Sequence, residues 1–143
     1  MEIVEIHTIE DAISHGHLII AGGGGGIPVV RNEGLQGVEA VVDKDLTACL
    51  LAITLGAKRF VILTDVPNVS TSFGTKSEKP INCMDVATSQ ELLASGEFPS
   101  GSMGPKVEAA AMYAESTGCH ALITNVESLS DALRGKAGTW IEP

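Results

Sequence analysis

Two stretches constrain this chain more than any others. Phe60-Val61-Ile62-Leu63-Thr64 and Ala121-Leu122-Ile123-Thr124 are apolar without alternation. A strand with one face in water alternates apolar and polar residues. An unbroken apolar run instead marks a strand covered on both faces, as in a parallel sheet flanked by helices. Helical stretches lie between these runs, so the pattern predicts an α/β domain with a largely parallel sheet. At 143 residues the chain is long enough for one domain with a sizeable core. Its apolar residues are mostly Val, Ile, Leu and Ala, with only 3% aromatic residues, which suits short strands beneath aliphatic helices.

Around those strands the expected elements follow from spacing. Ile3, Ile6, Ile9 and Ile13 predict a helix over 3–15, with Gly16 as its stop. Leu18 to Ala21 reads as a short strand that runs directly into Gly22 to Gly26. Arg31 to Gly37 reads as a loop or hairpin, and Val38 to Val42 as a short strand or an extended approach to the next helix. That helix opens at Asp43-Lys44-Asp45 and runs to about Leu55, with Leu46, Leu50 and Ile53 on one face and Gly56 as its cap. Pro67-Asn68 is a turn, Val69 to Phe73 a short extended piece, and Thr75 to Pro80 a loop. Thr88-x-x-Glu91 resembles a capping box for a helix ending near Gly96. A further helix starts at Pro105 and stops at Gly118, followed by a short helix over 128–133 and a last strand over 138–141.

The net charge of −9 argues against nucleic acid or an anionic membrane as the main partner. It leaves room for a few lysines to meet a phosphate locally. No apolar run approaches the roughly 20 residues needed to span a bilayer, and no signal peptide opens the chain. Cys49, Cys83 and Cys119 are scattered and odd in number, as expected of reduced thiols in a cytoplasmic protein. His15 and His17 have no metal-ligand spacing, and no metal site is expected.

Three stretches carry candidate chemistry. Pro105 and the alanines after it place Lys106 in the first turn of a helix, where a cation opposes the helix dipole. The free amides of that end attract anions, and the preceding Gly101 and Gly104 let a ligand approach the backbone. A bound phosphate would make Lys106 a favourable partner; an exposed surface lysine is the plainer alternative. Five glycines in succession, Gly22 to Gly26, follow a predicted strand, where α/β proteins bind ligands. Neither standard glycine fingerprint fits them. The third glycine of G-x-G-x-x-G falls on Ile27, Pro28 or Val29, and no GK[ST] occurs. A tight turn packed on another strand is the structural alternative. In Asp43-Lys44-Asp45 the carboxylates suit a helix start, which leaves Lys44 unexplained. Two lysines and an organising carboxylate make a minimal set for phosphoryl transfer, which needs chiefly positive charge and positioning.

Three blocks together, Gly22 to Val29, Glu39 to Leu46 and Gly101 to Ala109, resemble the carbamate kinases of the amino acid kinase family in residues, order and spacing. Leu63-Thr64-Asp65-Val66 and Phe73-Gly74 fit between them. The resemblance extends over the whole chain but covers only one half of such a kinase, its C-terminal half. It implies a three-layer α/β/α fold and a single nucleotide-binding domain over 1–143, with the N-terminal substrate half absent. The implied reaction is phosphoryl transfer between carbamoyl phosphate plus ADP and carbamate plus ATP, with Mg²⁺ carried by the nucleotide. Lys44 and Lys106 resemble the phosphate-contacting lysines, and Asp45 or Asp43 the carboxylate that orients them. Gly23, Gly24 and Gly25 resemble the loop that approaches the phosphoryl group. Thr64, Asp65, Phe73, Met103 and Gly104 fall at nucleotide-site positions, with Phe73 and Met103 lining the adenine pocket. Pro67, Asn68 and Ser70 depart from the family pattern in a variable stretch beside the nucleotide. A half-domain would leave an apolar edge or face uncovered, so either self-association or a separate N-terminal partner is expected. The chain alone is expected to be inactive. A non-catalytic nucleotide-binding or interaction module is the alternative.

Overall fold

The computed structural model describes residues 1–143. The elements in chain order are α1 (Ile6–Ser14), β1 (Val29–Arg31), β2 (Leu35–Gly37), α2 (Lys44–Thr54), β3 (Phe60–Leu63), β4 (Val69–Thr71), β5 (Lys79–Ile81), β6 (Cys83–Asp85), α3 (Val86–Ala94), α4 (Met103–Thr117), β7 (Ala121–Thr124), α5 (Leu129–Ala132) and β8 (Thr139–Glu142). The central sheet has the order β3-β7-β8-β6. β3 and β7 are parallel, with Phe60 opposite Ala121, and β6 and β8 are parallel, with Met84 opposite Ile141. Only the β7–β8 pairing is antiparallel, so the mostly parallel sheet expected from the sequence is present. β1–β2 and β4–β5 form separate antiparallel hairpins.

Strand alternation sorts the sheet into two faces. Phe60, Ile62, Ala121, Ile123, Met84 and Ile141 point into one core shared with α2, α3 and α4. α4 is the centre of that core. Ala109, Ala110, Ala111 and Ala114 are buried, and their small side chains let the helix lie close over the sheet while α2 and α3 flank it. Tyr113 is fully buried too; its ring packs on Phe60 at 5.2 Å and its hydroxyl donates to the Ala57 carbonyl at 2.6 Å. That bond spares the core an unpaired hydroxyl, which would otherwise cost about 1–3 kcal/mol. Leu122 points to the opposite face. There it meets Ala132 of α5 beneath Gly138, where any Cβ would lie 2.6 Å from Leu122.

The coverage of the two faces is unequal, and this corrects the expectation for the first apolar run. β7 is buried throughout, but Leu63 of β3 is 45% exposed, because α5 is a single turn and reaches only β7. A second correction concerns Leu18 to Ala21, which form no strand. Leu18 and Ile20 are 96% and 95% exposed, since no neighbouring strand offers them hydrogen bonds. The Arg31–Gly37 stretch does form a hairpin, and Val38 to Val42 is an irregular approach to α2.

Two helices start earlier than their sequence signals predict. α4 starts at Met103, so Pro105 is the third helical residue and Lys106 the fourth. α3 starts at Val86 because the Asp85 carboxylate accepts from the Thr88 amide at 2.7 Å; Thr88 is inside the helix, and the Thr88-x-x-Glu91 box does not form. The inward stripe of α2 is Asp45, Cys49 and Ala52, with Leu46 and Ile53 at its margins. β5 overlaps the loop expected over Thr75 to Pro80, and β6 lies in a stretch for which the sequence suggests no element. β5 contains Pro80, and one residue separates the two strands, so neither carries a periodic signal. Gly118 stops α4 in the left-handed conformation, as its sequence position predicts.

Candidate functional site

Short connections set the location of the site. α2 leads into β3 and α4 into β7 through a few residues each, so both helices run antiparallel to the strands that follow them. Their N-termini therefore lie at the carboxyl ends of β3 and β7, the edge where open α/β sheets bind ligands. Thr64 continues β3 at that edge, its amide donating to the Thr124 carbonyl at 2.9 Å.

The first turn of α2 is built by Asp43. Its carboxylate accepts from the amides of Asp45 at 2.8 Å and Leu46 at 3.2 Å, and so caps the helix. The cap rotates Asp45 inward, toward α4. There Lys106 Nζ donates to Asp45 Oδ2 at 2.7 Å, with both side chains almost closed to solvent. Lys44 Nζ lies 3.6 Å from the same oxygen on a side chain that is 58% exposed. One carboxylate thus serves two ammonium groups, while the second carboxylate, Asp43, is taken up by the first amides of α2. Lys106 is a buried, paired lysine, so the plainer reading of an exposed helix-start lysine fails. The pair spans two elements and holds α2 to α4. Because Asp45 is already occupied by Lys106, the half-exposed Lys44 is the group with capacity to meet an anion from solvent.

The glycine run adjoins this cluster. Gly22 to Gly25 form a tight turn, with the Gly25 amide donating to the Gly22 carbonyl at 2.8 Å. Thr47 of α2 donates its hydroxyl to the Gly25 carbonyl at 2.8 Å. Gly25 has φ +128°, and a Cβ there would lie 2.0 Å from the Val42 carbonyl oxygen, so no other residue fits. At Gly23 and Gly24, by contrast, a Cβ would meet nothing. The run combines one glycine demanded by packing, Gly25, with three, Gly23, Gly24 and Gly26, that face open space. Gly22, Gly23, Lys44, Thr47 and Leu51 line a cavity of about 220 Å³ between the loop and α2.

The structure brings Asp43, Lys44, Asp45, Lys106 and the Gly23–Gly25 loop together. The remaining candidates make no side-chain hydrogen bond or ion pair with them. Asp65 is exposed and makes no ion pair, Phe73 is 58% exposed, and Met103 packs against the core. Gly104 is buried, with its amide bonded to the Pro99 carbonyl at 2.9 Å and room for no comfortable Cβ, so packing accounts for it. Asn68 also has a structural function: its amide donates to the carbonyls of Gly138 at 2.7 Å and Ile81 at 3.2 Å, tying the turn after β3 to β8 and β5. Two contacts were not legible from the sequence. Thr47 also bonds back to the Asp43 carbonyl at 3.0 Å, an ordinary pattern for Thr in a helix, and nothing local announces its bond to Gly25. Glu97 accepts from the amide of Ser72, 25 residues earlier, and lacks any sequence signal. No three His, Cys, Asp or Glu side chains converge in metal-binding geometry.

Comparison with known proteins gives a consistent result. The amino acid kinase family model matches residues 1–125. A carbamate kinase of Thermoplasma volcanium is 46% identical, over 100% of this chain and 47% of that protein. A carbamate kinase of Halobacterium salinarum is 44% identical, with the same coverage. The structure of carbamate kinase from Giardia lamblia bound to AMP-PNP superposes with a TM-score of 0.94 at 41% identity, over 99% of this chain and 45% of that one. A UMP kinase from Bacillus anthracis, 18% identical with a TM-score of 0.64, shares the fold. The chain spans about half the length of the curated relatives it matches.

Proposed function

The chain belongs to the amino acid kinase family, and from that footing we propose that it forms the ATP/ADP-binding, C-terminal portion of a carbamate kinase-like phosphotransferase. The observation that carries this reading is the Lys44–Asp45–Lys106 cluster beside the glycine turn. Phosphoryl transfer spreads charge over the equatorial oxygens of the moving group, and fixed cations stabilise it without reorganising. Asp45 orients Lys106 and draws Lys44 toward it, and the open Gly23–Gly24 backbone admits a phosphoryl group close to its amides. In this reading Mg²⁺ arrives with the nucleotide: Asp45 is engaged by two lysines, and no acidic cluster offers a separate seat. The relative solved with AMP-PNP supports a nucleotide as ligand.

Turnover then needs a complementary portion that supplies the carbamate pocket. The exposed Leu18, Ile20, Ile27 and Val41 are the surface on which such a portion, or a second copy of this chain, would pack. The same exposed residues favour one other reading, a non-catalytic nucleotide-binding or interaction module. Calorimetric titration with Mg-ADP and Mg-ATP tests the first reading. Saturable binding that weakens in Lys106→Ala supports it; a folded chain that binds neither nucleotide refutes it and leaves the interaction module.

A further inference from the structure

Thr47 meets the glycine turn with both arms of its branched side chain. The hydroxyl donates to the Gly25 carbonyl at 2.8 Å and shares its proton with the Asp43 carbonyl at 3.0 Å. The Cγ2 methyl lies 3.6 Å from the place a Cβ would occupy on Gly22, so the same residue touches both ends of the turn. The close approach of Gly25 to the Val42 carbonyl locates the turn, and the Thr47 bond keeps it there. What is held in this way is a set of unengaged donors. The amides of Gly23, Gly24 and Gly26 donate to no backbone acceptor, and no side chain crowds them. Gly25 itself is buried. Thr47 follows Lys44 by three residues, so the two side chains leave one face of α2. Both line the cavity of about 220 Å³, together with Gly22 and Gly23.

Resting on the phosphoryl-transfer reading above, we infer that Thr47 is a positioning residue. It seats the glycine turn on α2 so that the free Gly23 and Gly24 amides and the Lys44 ammonium converge on one phosphoryl group. Amides and an ammonium act together on an anion only when both lie within hydrogen-bond reach of it. Their spacing is therefore set by a neutral side chain that touches no ligand, because its hydroxyl is engaged by Gly25. When the turn leaves α2 the donors part from Lys44. Apparent affinity then follows the fraction of time the turn is seated.

The test is calorimetry with Mg-ADP and with Mg-pyrophosphate, which carries phosphates and no base. The chains compared are wild type, Thr47→Val, Thr47→Ser, Lys44→Ala and the Thr47→Val/Lys44→Ala double variant, each shown to be folded by circular dichroism. Valine keeps the methyl and loses the bond. It should bind both ligands roughly 5- to 10-fold more weakly, as expected when a hydrogen bond of ordinary strength no longer seats the loop. Serine keeps the bond and should restore affinity to within about twofold of wild type. The double variant should lose less than the product of the two single losses, since amides already parted from Lys44 gain nothing from its presence; independent effects would multiply. Hydrogen exchange at the Gly25 amide should accelerate with valine and not with serine. Unchanged affinity in Thr47→Val, a loss that serine does not restore, or losses that multiply in the double variant each overturn the proposal and leave nucleotide binding standing. A folded wild-type chain that binds neither ligand overturns the nucleotide reading, and the role of Thr47 with it.

Discussion

The Thr47 hydroxyl donates to the Gly25 carbonyl at 2.8 Å, fastening the glycine turn to the first turns of α2. The turn's position is therefore set by the helix that carries Lys44 and Asp45. The dependence is steric as well, because Gly25 lies against the Val42 carbonyl. Gly25→Ala should destabilise the chain by about 3 kcal/mol, through overpacking against rigid backbone. Gly24→Ala, which meets nothing, should stay within about 0.5 kcal/mol. Urea unfolding of the two variants checks the contrast. Equal stabilities would mean the loop is free to move off α2.

The two lysines should separate by what they affect. Lys106→Ala leaves a buried Asp45 without its closest partner and should cost about 3 kcal/mol, besides weakening phosphate binding. Lys44→Ala removes a half-exposed cation and should change stability by less than about 1 kcal/mol while still lowering Mg-ADP affinity. Chemical denaturation and nucleotide titration on both variants give the four values.

Acid should loosen α3 through its cap. The hydrogen bond from the Thr88 amide holds the Asp85 carboxyl below its ordinary value of 3.8. A depressed carboxylate contributes stability above the unfolded value, and that contribution is lost as pH falls through the lower folded one. Asp85→Asn keeps a capping oxygen that does not titrate. Its stability should fall less steeply than wild type over the same acid range, as read by circular dichroism melts.

Thiol reactivity should rank by exposure. Burial pushes the Cys49 thiol up to about 11, and at about pH 8 it stays protonated and shielded. Partial burial and the carboxylates of Glu142 and Asp85 also raise Cys83, which is nonetheless exposed. Iodoacetamide followed by mass spectrometry should label Cys83 first and Cys49 only on unfolding. Early labelling of Cys49 would show that α2 opens readily in the native state.

The exposed apolar stretch should govern association. Replacing Leu18 and Ile20 by lysine removes apolar surface that makes no contact with the core, so melting temperature should hold while sedimentation at micromolar concentration shifts toward monomer. An unchanged sedimentation profile would exclude this stretch as the contact.

How far the sequence reaches depends on whether a residue's partner is nearby. β7, the Asp43 cap and the Gly118 stop follow from local chemistry and appear where expected. The Asp45–Lys106 pair was half legible: both residues stood out as charges at helix starts, but their contact needs α2 and α4 to dock. Leu18 to Ala21 has the composition of a strand, and composition cannot supply a neighbour. Leu63 belongs to a run that looked doubly covered, yet the length of α5 decides its exposure. Thr88 lost the cap to Asp85, three residues earlier, because both are competent caps and tertiary fit chose between them. Asn68 drew notice as a departure from the family pattern, and its bonds to Gly138 and Ile81 explain it by architecture.

Lys106 and Asp45 are 61 positions apart in the chain. Closing a loop of that length is entropically costly, and the reward arrives only when α2 and α4 are both formed and docked. The charge cluster consequently has no half-assembled version. A chain in which either helix is loose leaves Lys106 on one segment and Asp45 with Lys44 on another, so the two ammonium groups no longer converge on one carboxylate. An anion held at this cluster would therefore raise the free energy of unfolding the whole domain rather than of one loop, and its binding would report cooperatively on the native state.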